Sequence, residues 1–243
     1  MVGADPLLVA LDFDGTLAPL QDDPQDSRAL PEGVRALRAL AACPAVRLAL
    51  ISGRGLADLS PLAEVPEGTW LIGSHGAELG RRTAGGGLEV AEGVDPAGRA
   101  RLDEAAARLE PLTGDGAWIE RKPAATVFHT RLVSDRQEAA RRHAAAIDIG
   151  RAMGMEILEG KNVAELGISS VTKADAIGRL RTLLAPERIF YAGDDTTDEN
   201  AFAALSPGDV AVKVGPGRTA ARWRVADPAA LCALLGRLAA LLG

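Results

Sequence analysis

Rings are scarce in this chain, with three Trp, one Tyr and four Phe in 243 residues. A surface that reads nucleic acid by stacking bases needs more of them. The apolar share of 47% rests mainly on Ala and Leu, which implies an aliphatic core. Positive charge is short as well: 27 Lys and Arg stand against 33 Asp and Glu, for a net charge of −6. Non-specific nucleic-acid binding needs the opposite balance, because it runs on counterion release from phosphates. Cysteine occurs only at Cys43 and Cys232, both in apolar helical contexts. That argues against a disulfide framework or a thiolate metal site and makes both core candidates. Long apolar runs are missing too. The most apolar tail, "LCALLGRLAALLG", is broken by Arg237 and is too short for a bilayer. With no basic-then-apolar leader at the start, a cytoplasmic enzyme is the expectation. No feature of the sequence reports oligomeric state, and a monomer is consistent with it.

What the sequence does hold is a series of short aliphatic runs: "LLVALDF", "VRLALISG", "WLIGSHG", "RIFYAGD" and "DVAVKVG". Each leads into Gly or polar residues and then into a helical pattern. Near-continuous apolar strands alternating with helices predict an α/β, doubly wound, Rossmann-like parallel sheet covered on both faces. In such sheets ligands bind beyond the carboxyl ends of the strands. Asp12, Ser52, His75 and Asp194 all fall at such ends. The middle differs, reading as a Gly-rich hairpin ("RRTAGGGLEV") followed by helix, two strands, helix and two strands. This predicts a smaller α+β unit over residues 81–167, inserted into a core built from 1–80 and 168–243.

Asp12 and Asp14, in "LLVALDFDGTLAPL", close the first strand. Two carboxylates at the end of a buried strand repel each other and are costly to desolvate unless a cation is present. A divalent metal with oxygen ligands resolves this; the alternative is that Asp14-Gly15-Thr16 simply makes a turn. In "YAGDDTTDENAF", Thr196 with Glu199 predicts a capping box. That leaves Asp194, Asp195 and Asp198 unexplained, and the spacing does not match a calcium loop. Ser52 reads as a helix N-cap, a geometry that also suits an anion. Lys173 opens a helix behind a cap-like Thr172 and Asp175, and would set one fixed cation near Asp12.

Taken in order, Asp12-x-Asp14-Gly-Thr, Ser52-Gly-Arg54, Lys173 and Gly193-Asp194-Asp195-x-x-Asp198 resemble the motifs of the haloacid dehalogenase superfamily of phosphotransferases. Within it the chain is most similar to the trehalose-6-phosphate phosphatases. The closer likeness is carried by "DFDGTLAPL", "ISGR", "GSHGAE", "IERK", "VFHTR", "GKNVAEL" and "GDDTTDENAF".

That resemblance implies a haloacid dehalogenase-type core with an inserted cap, Mg²⁺ as cofactor and a small sugar phosphate as the partner, rather than nucleic acid or membrane. It implies that Asp12 is the nucleophile and that Asp14 is the general acid and base, offering its carbonyl to the metal. Asp194 and Asp198 would complete the metal set, with Ser52 and Lys173 on the phosphate. Substrate contacts are implied for Gly53, Arg54, His75, Gly76 and Glu78 in the core, and for Glu120, Lys122, His129, Arg131, Lys161 and Glu165 in the cap. Without the resemblance, Glu120 with Lys122 and Lys161 with Glu165 read as exposed ion pairs, and His143 as a surface residue. The chain departs from the family at Gly167-Ile168, where an Arg-Pro pair is usual, and at Ala174, where Gly is usual. Both departures bear on the sugar more than on the phosphate. A related sugar-phosphate phosphatase, a phosphosugar mutase and a non-catalytic sensor are the competing readings.

Overall fold

The computed structural model describes residues 6–168 and 170–243. It contains two compact units, one made of the residues up to Glu92 and from Val171 onward, the other of Gly93–Ser170.

The larger unit is built on β1 (Leu7–Leu11), β2 (Val46–Ile51), β3 (Trp70–Gly73), β4 (Glu78–Arg82) and β5 (Leu88–Glu92), with three strands that follow later in the chain. Those three belong to the same eight-stranded sheet. Its first helices are α1 (Pro31–Ala41) and α2 (Leu56–Ala63). The smaller unit contains α3 (Pro96–Leu109), β6 (Trp118–Arg121), β7 (Ala125–His129), α4 (Arg136–Ala152), β8 (Glu156–Gly160) and β9 (Val163–Gly167). The chain then returns to the larger unit with α5 (Lys173–Leu184), β10 (Arg188–Gly193), α6 (Thr196–Ala204), β11 (Val210–Val214), β12 (Trp223–Val225) and α7 (Pro228–Leu242).

The large sheet runs β12-β11-β10-β1-β2-β3-β4-β5. Pairing is parallel from β12 to β3 and antiparallel at β4 and β5. Alternation along β1 shows why a continuous apolar run is required. Val9 and Leu11 pack with α1, α2 and α7 through Leu37, Leu59 and Leu231, whereas Leu8 and Ala10 pack with α5 and α6 through Ile177 and Phe202. A strand buried on both faces has no polar positions to spend until it ends. Its first polar side chain is therefore Asp12, at the carboxyl end.

Two expectations shift. The Gly-rich hairpin belongs to the larger unit, because β4 pairs with β3 from Trp70↔Arg81 to Gly73↔Glu78 and β5 extends it. A boundary at residue 81 would cut through β4, and the units divide instead after Glu92. The second shift concerns the cysteines: Cys232 is buried, but Cys43 is only partly so.

In the smaller unit the four-stranded antiparallel sheet runs β6-β7-β9-β8. Leu102 and Leu109 of α3 and Ile147 of α4 pack on Phe128, Ala164 and Leu166. The alternate residues of those strands point to the face that carries no helix.

Candidate active site

The end of β1 is fixed by its neighbours. Asp12 N donates to Ala192 O at 2.9 Å, which prolongs the parallel pairing with β10 by one residue. Asp12 is 4% exposed. Gly15 has φ +75°, and a Cβ there would stand 2.1 Å from Asp194 Oδ2. The glycine thus meets two demands, a left-handed turn and room for the Asp194 carboxylate. Thr16, fully buried, shares its one hydroxyl proton between Asp194 Oδ1 at 3.1 Å and Asp12 Oδ2 at 3.3 Å. In the sequence Thr16 stands within the Asp-x-Asp-Gly-Thr motif with no role assigned to it, a turn being the alternative. Its hydroxyl joins the two acids, and that could be found only from the fold.

Lys173 is the first residue of α5, set by a capping box between Thr172 and Asp175. Its Nζ lies 2.8 Å from Asp12 Oδ1 and 2.8 Å from Asp198 Oδ1, and the side chain is 3% exposed. Burial by itself would lower the lysine pKa, but the charges of Asp12 and Asp198 outweigh it and the net shift is upward. Asp198 is fully buried and heavily occupied. Its Oδ1 also accepts from the Tyr191 hydroxyl at 2.6 Å, and its Oδ2 accepts from Asp195 N at 2.9 Å. This corrects the expected cap of α6, which is Asp195 with Asp198 rather than Thr196 with Glu199. The helix starts one residue sooner because Asp195 takes the extended backbone of an N-cap. Gly193 is required here too, since a Cβ would sit 2.1 Å from Asp198 Cγ.

Oxygens of Asp12, Asp194 and Asp198 all lie within 4.8 Å of one another. Burial, opposed by Lys173 but reinforced by Asp198 and Asp194, pushes the Asp12 carboxyl up to about 8. Burial likewise raises Asp194, against the hydrogen bonds from Asp12 and Thr16. An oxygen-only donor set in which Asp12 and Asp194 are reluctant to ionise alone fits a hard divalent cation. Asp12 and Asp194 carry free lone pairs for it. Asp198 has its Oδ1 filled by Lys173 and Tyr191, so its main engagement is with the lysine.

Asp14 does not join that group. Both its oxygens are held by Arg54, Oδ2 by Nε at 2.6 Å and Oδ1 by Nη2 at 2.7 Å. Arg54 also donates to Pro24 O at 2.7 Å and Ser27 Oγ at 3.1 Å. Arg54, expected on substrate, is therefore occupied by Asp14.

Ser52, 1% exposed, follows β2 at the same sheet edge. It does not cap α2, which starts at Leu56 behind an extended Gly55. Its hydroxyl accepts from Arg54 N at 3.1 Å instead, because the Ser-Gly-Arg-Gly stretch turns before the helix begins. Leu56 N is capped by Glu78 Oε2 at 3.2 Å, which also takes the Ser74 hydroxyl at 2.8 Å. That duty was not legible for Glu78. His75 has φ +58°, and its ring lies where a Cβ on Gly53 would stand, 2.6 Å from Cε1. Gly76, at φ +131°, leaves room for Val171. Gly53, His75 and Gly76 thus shape one loop cluster beside Ser52.

In the smaller unit, β-alternation puts Glu120, Lys122, His129 and Glu165 on the helix-free face. The expected ion pairs are exchanged. Lys122 Nζ meets Glu165 Oε2 at 2.7 Å, and His129 Nε2 meets Glu120 Oε2 at 2.8 Å. The reason is register, since β7 lies between β6 and β9 and Val127 is partnered by both Glu120 and Glu165. Trp118 stacks on His129 with centroids 4.5 Å apart, and Arg131 lies 5.1 Å over the Trp118 ring. Lys161, in the β8–β9 turn, stands apart from these pairs and lines a cavity with Arg131, Arg136, His143 and Asn162. His143 is not a surface residue, being 15% exposed and 3.3 Å from Glu159.

Comparison with known proteins places these residues in context. A family model described as trehalose-phosphatase matches residues 10–229. An uncharacterized glycosyl hydrolase of Mycobacterium tuberculosis is 36% identical over 247 residues, covering 95% of this chain and 18% of the relative. A trehalose-phosphate phosphatase of Mycobacterium ulcerans is 35% identical over 247 residues, covering 95% of this chain and 61% of the relative. The chain thus spans less than two thirds of the length of either. Among solved structures, a trehalose-6-phosphate phosphatase of Aspergillus fumigatus superposes with a TM-score of 0.73 at 28% identity, covering 98% of this chain and 93% of that one.

Proposed function

The chain belongs to the trehalose-phosphatase family, and on that premise we propose that it hydrolyses trehalose 6-phosphate to trehalose and phosphate, with Mg²⁺ as cofactor and an aspartyl phosphate on the pathway. One observation carries the chemistry: Lys173 Nζ, 2.8 Å from Asp12 Oδ1, holds a buried carboxylate beside a second one, Asp194, at a strand end.

A carboxylate that attacks a phosphate dianion must overcome charge repulsion. Lys173 offsets part of it and aims the oxygen, and Mg²⁺ bound by Asp12 and Asp194 would neutralise the rest and favour the charge-dense transition state. Phosphate-monoester hydrolysis can require accelerations up to ~10²¹, about 28 kcal/mol. No single group supplies that, which is why the cluster has several parts.

In the first step Asp12 forms a bond to phosphorus while the bond to the sugar oxygen breaks, and Asp14 gives that oxygen a proton. In the second, water attacks the phosphorus of the acyl phosphate, Asp14 takes the water's proton, and Asp12 leaves as carboxylate. Asp14 serves only after releasing Arg54, since its two oxygens are otherwise engaged. Ser52 supplies a buried hydroxyl for the phosphate oxygens. Glu120, Lys122, His129 and Glu165 offer donors and acceptors to sugar hydroxyls. Half-exposed pairs of this kind stabilise a fold by at most about 1 kcal/mol each. Their grouping on one open face is better accounted for by recognition.

The test is phosphate release from a panel of sugar phosphates, with Mg²⁺ and with chelator. Fast release from trehalose 6-phosphate that chelator stops is the expected result. Uniformly slow turnover of the panel would overturn the substrate. Isomerised product that requires a bisphosphate activator would mark a mutase, and tight binding without turnover a sensor.

A further inference from the structure

Lys213 is a buried cation that the proposed chemistry leaves unused. It is 4% exposed on β11, where it partners Gly193 of β10. Its Nζ donates to Asp194 O and, at 3.0 Å, to Val214 O. Among the described residues no carboxylate pairs with it within salt-bridge distance. A buried ammonium held only by two main-chain carbonyls is costly unless negative charge lies close by. Asp194, whose carbonyl it holds, belongs to the acidic cluster with Asp12 and Asp198. Leu11 partners Ala192 and Gly193 partners Lys213, so the ammonium stands across β10 from the strand that ends in Asp12.

We infer that Lys213 is a positioning residue: by clamping the Asp194 carbonyl it fixes the turn after β10 that holds the Asp194 carboxylate over Gly15, and thereby sets the affinity of the site for a divalent cation. The clamp matters because that carboxylate has little freedom to be misplaced. It already fills the space of a missing Cβ at Gly15 and accepts from Thr16 at 3.1 Å. A small rotation of the Asp194 peptide would break both arrangements. This inference rests on the reading of Asp12 and Asp194 as cation ligands.

The experiment titrates Mn²⁺ into metal-stripped protein by calorimetry, with free Mn²⁺ followed by its paramagnetic resonance signal. Wild type is compared with Lys213→Met and with Leu235→Ala, a core variant on α7. Loss of an outer partner of a metal ligand weakens metal binding by roughly 10- to 100-fold. That is the rise in Kd expected for Lys213→Met, with the kcat deficit shrinking as Mn²⁺ is raised, while Leu235→Ala binds as wild type does. Lys213→Gln replaces Lys213→Met if the latter does not fold. Unchanged or tighter binding in the lysine variant overturns the inference, since removing a nearby positive charge without losing position would only favour a cation. Equal weakening in Leu235→Ala overturns it as well. If wild type itself binds no Mn²⁺, the cation reading of the site fails; if wild type binds and Lys213→Met binds equally, the Lys213 inference alone fails.

Discussion

Asp12 carries a tension that makes its substitution informative twice over. Burial pushes its carboxyl up to about 8 in the metal-free protein, against an ordinary value of 3.8. The folded state therefore keeps a proton that the unfolded chain releases at lower pH. The stabilising contribution is full below pH about 4, falls as pH rises across that window, and is lost above the folded value. Asp12→Asn should abolish turnover, because an amide is no nucleophile. In chelator it should also raise the melting temperature relative to wild type at pH 8, by a margin that shrinks toward pH 4. Calorimetric melts of both proteins at several pH values check this, and a margin that grew on acidification would contradict the assigned cause. Tyr191 illustrates a different point. Its hydroxyl lies 2.6 Å from Asp198 Oδ1, and it reads in the sequence as one more apolar residue of a strand.

Helix starts do much of the positioning. Thr172 N donates to Asp175 Oδ2 at 2.8 Å and Asp175 N donates back to Thr172 Oγ1 at 3.4 Å, so that Lys173 enters α5 on a fixed path. Thr172→Ala removes the cap. Loss of a Ser or Thr N-cap costs about 1 kcal/mol, and the loosened first turn should also lower kcat, because Lys173 is its first residue. Urea denaturation and steady-state kinetics measure the two effects, and a stability loss with unchanged kcat would separate the cap from the site. In α6 the cap and the site share a residue, as Asp198 both closes the box with Asp195 and holds Lys173. That double use explains why the acid spacing after β10 looked in excess of what a helix start needs.

The two units differ in what they can contribute. The larger carries the buried charges at the ends of its parallel strands, and the smaller carries an antiparallel sheet whose helix-free face holds two side-chain pairs, Lys122 with Glu165 and His129 with Glu120. Glu120→Ala should therefore raise KM for trehalose 6-phosphate about tenfold, the equivalent of 1.4 kcal/mol. Hydrolysis of a simple aryl phosphate, which has no sugar hydroxyls to read, should be unaffected. Parallel loss on both substrates would place Glu120 in the phosphate chemistry instead.

The strands and the order of the motifs were legible because they rest on local patterns, apolar runs for a sheet buried on both faces; the start of the insert was misplaced because the pairing of the Gly-rich hairpin to β3 is a tertiary contact. Asp12 and Asp194 could be placed together because strand ends of a parallel sheet share one edge, and Lys173 because the helix that precedes β10 starts at that edge. Local pattern could not reveal that Arg54 holds Asp14, that Lys122 pairs with Glu165 across β7, or that Thr16 and Lys213 bear on the acids. Those contacts join side chains between 4 and 178 positions apart, and their distances depend on register and packing. The sequence by itself determined which chemical groups reach the carboxyl edge, because a strand covered on both faces can place charge only where it ends. Only the tertiary structure decided which group holds which, because hydrogen-bond geometry within 3 Å is set by how helices and loops from distant parts of the chain pack against that edge.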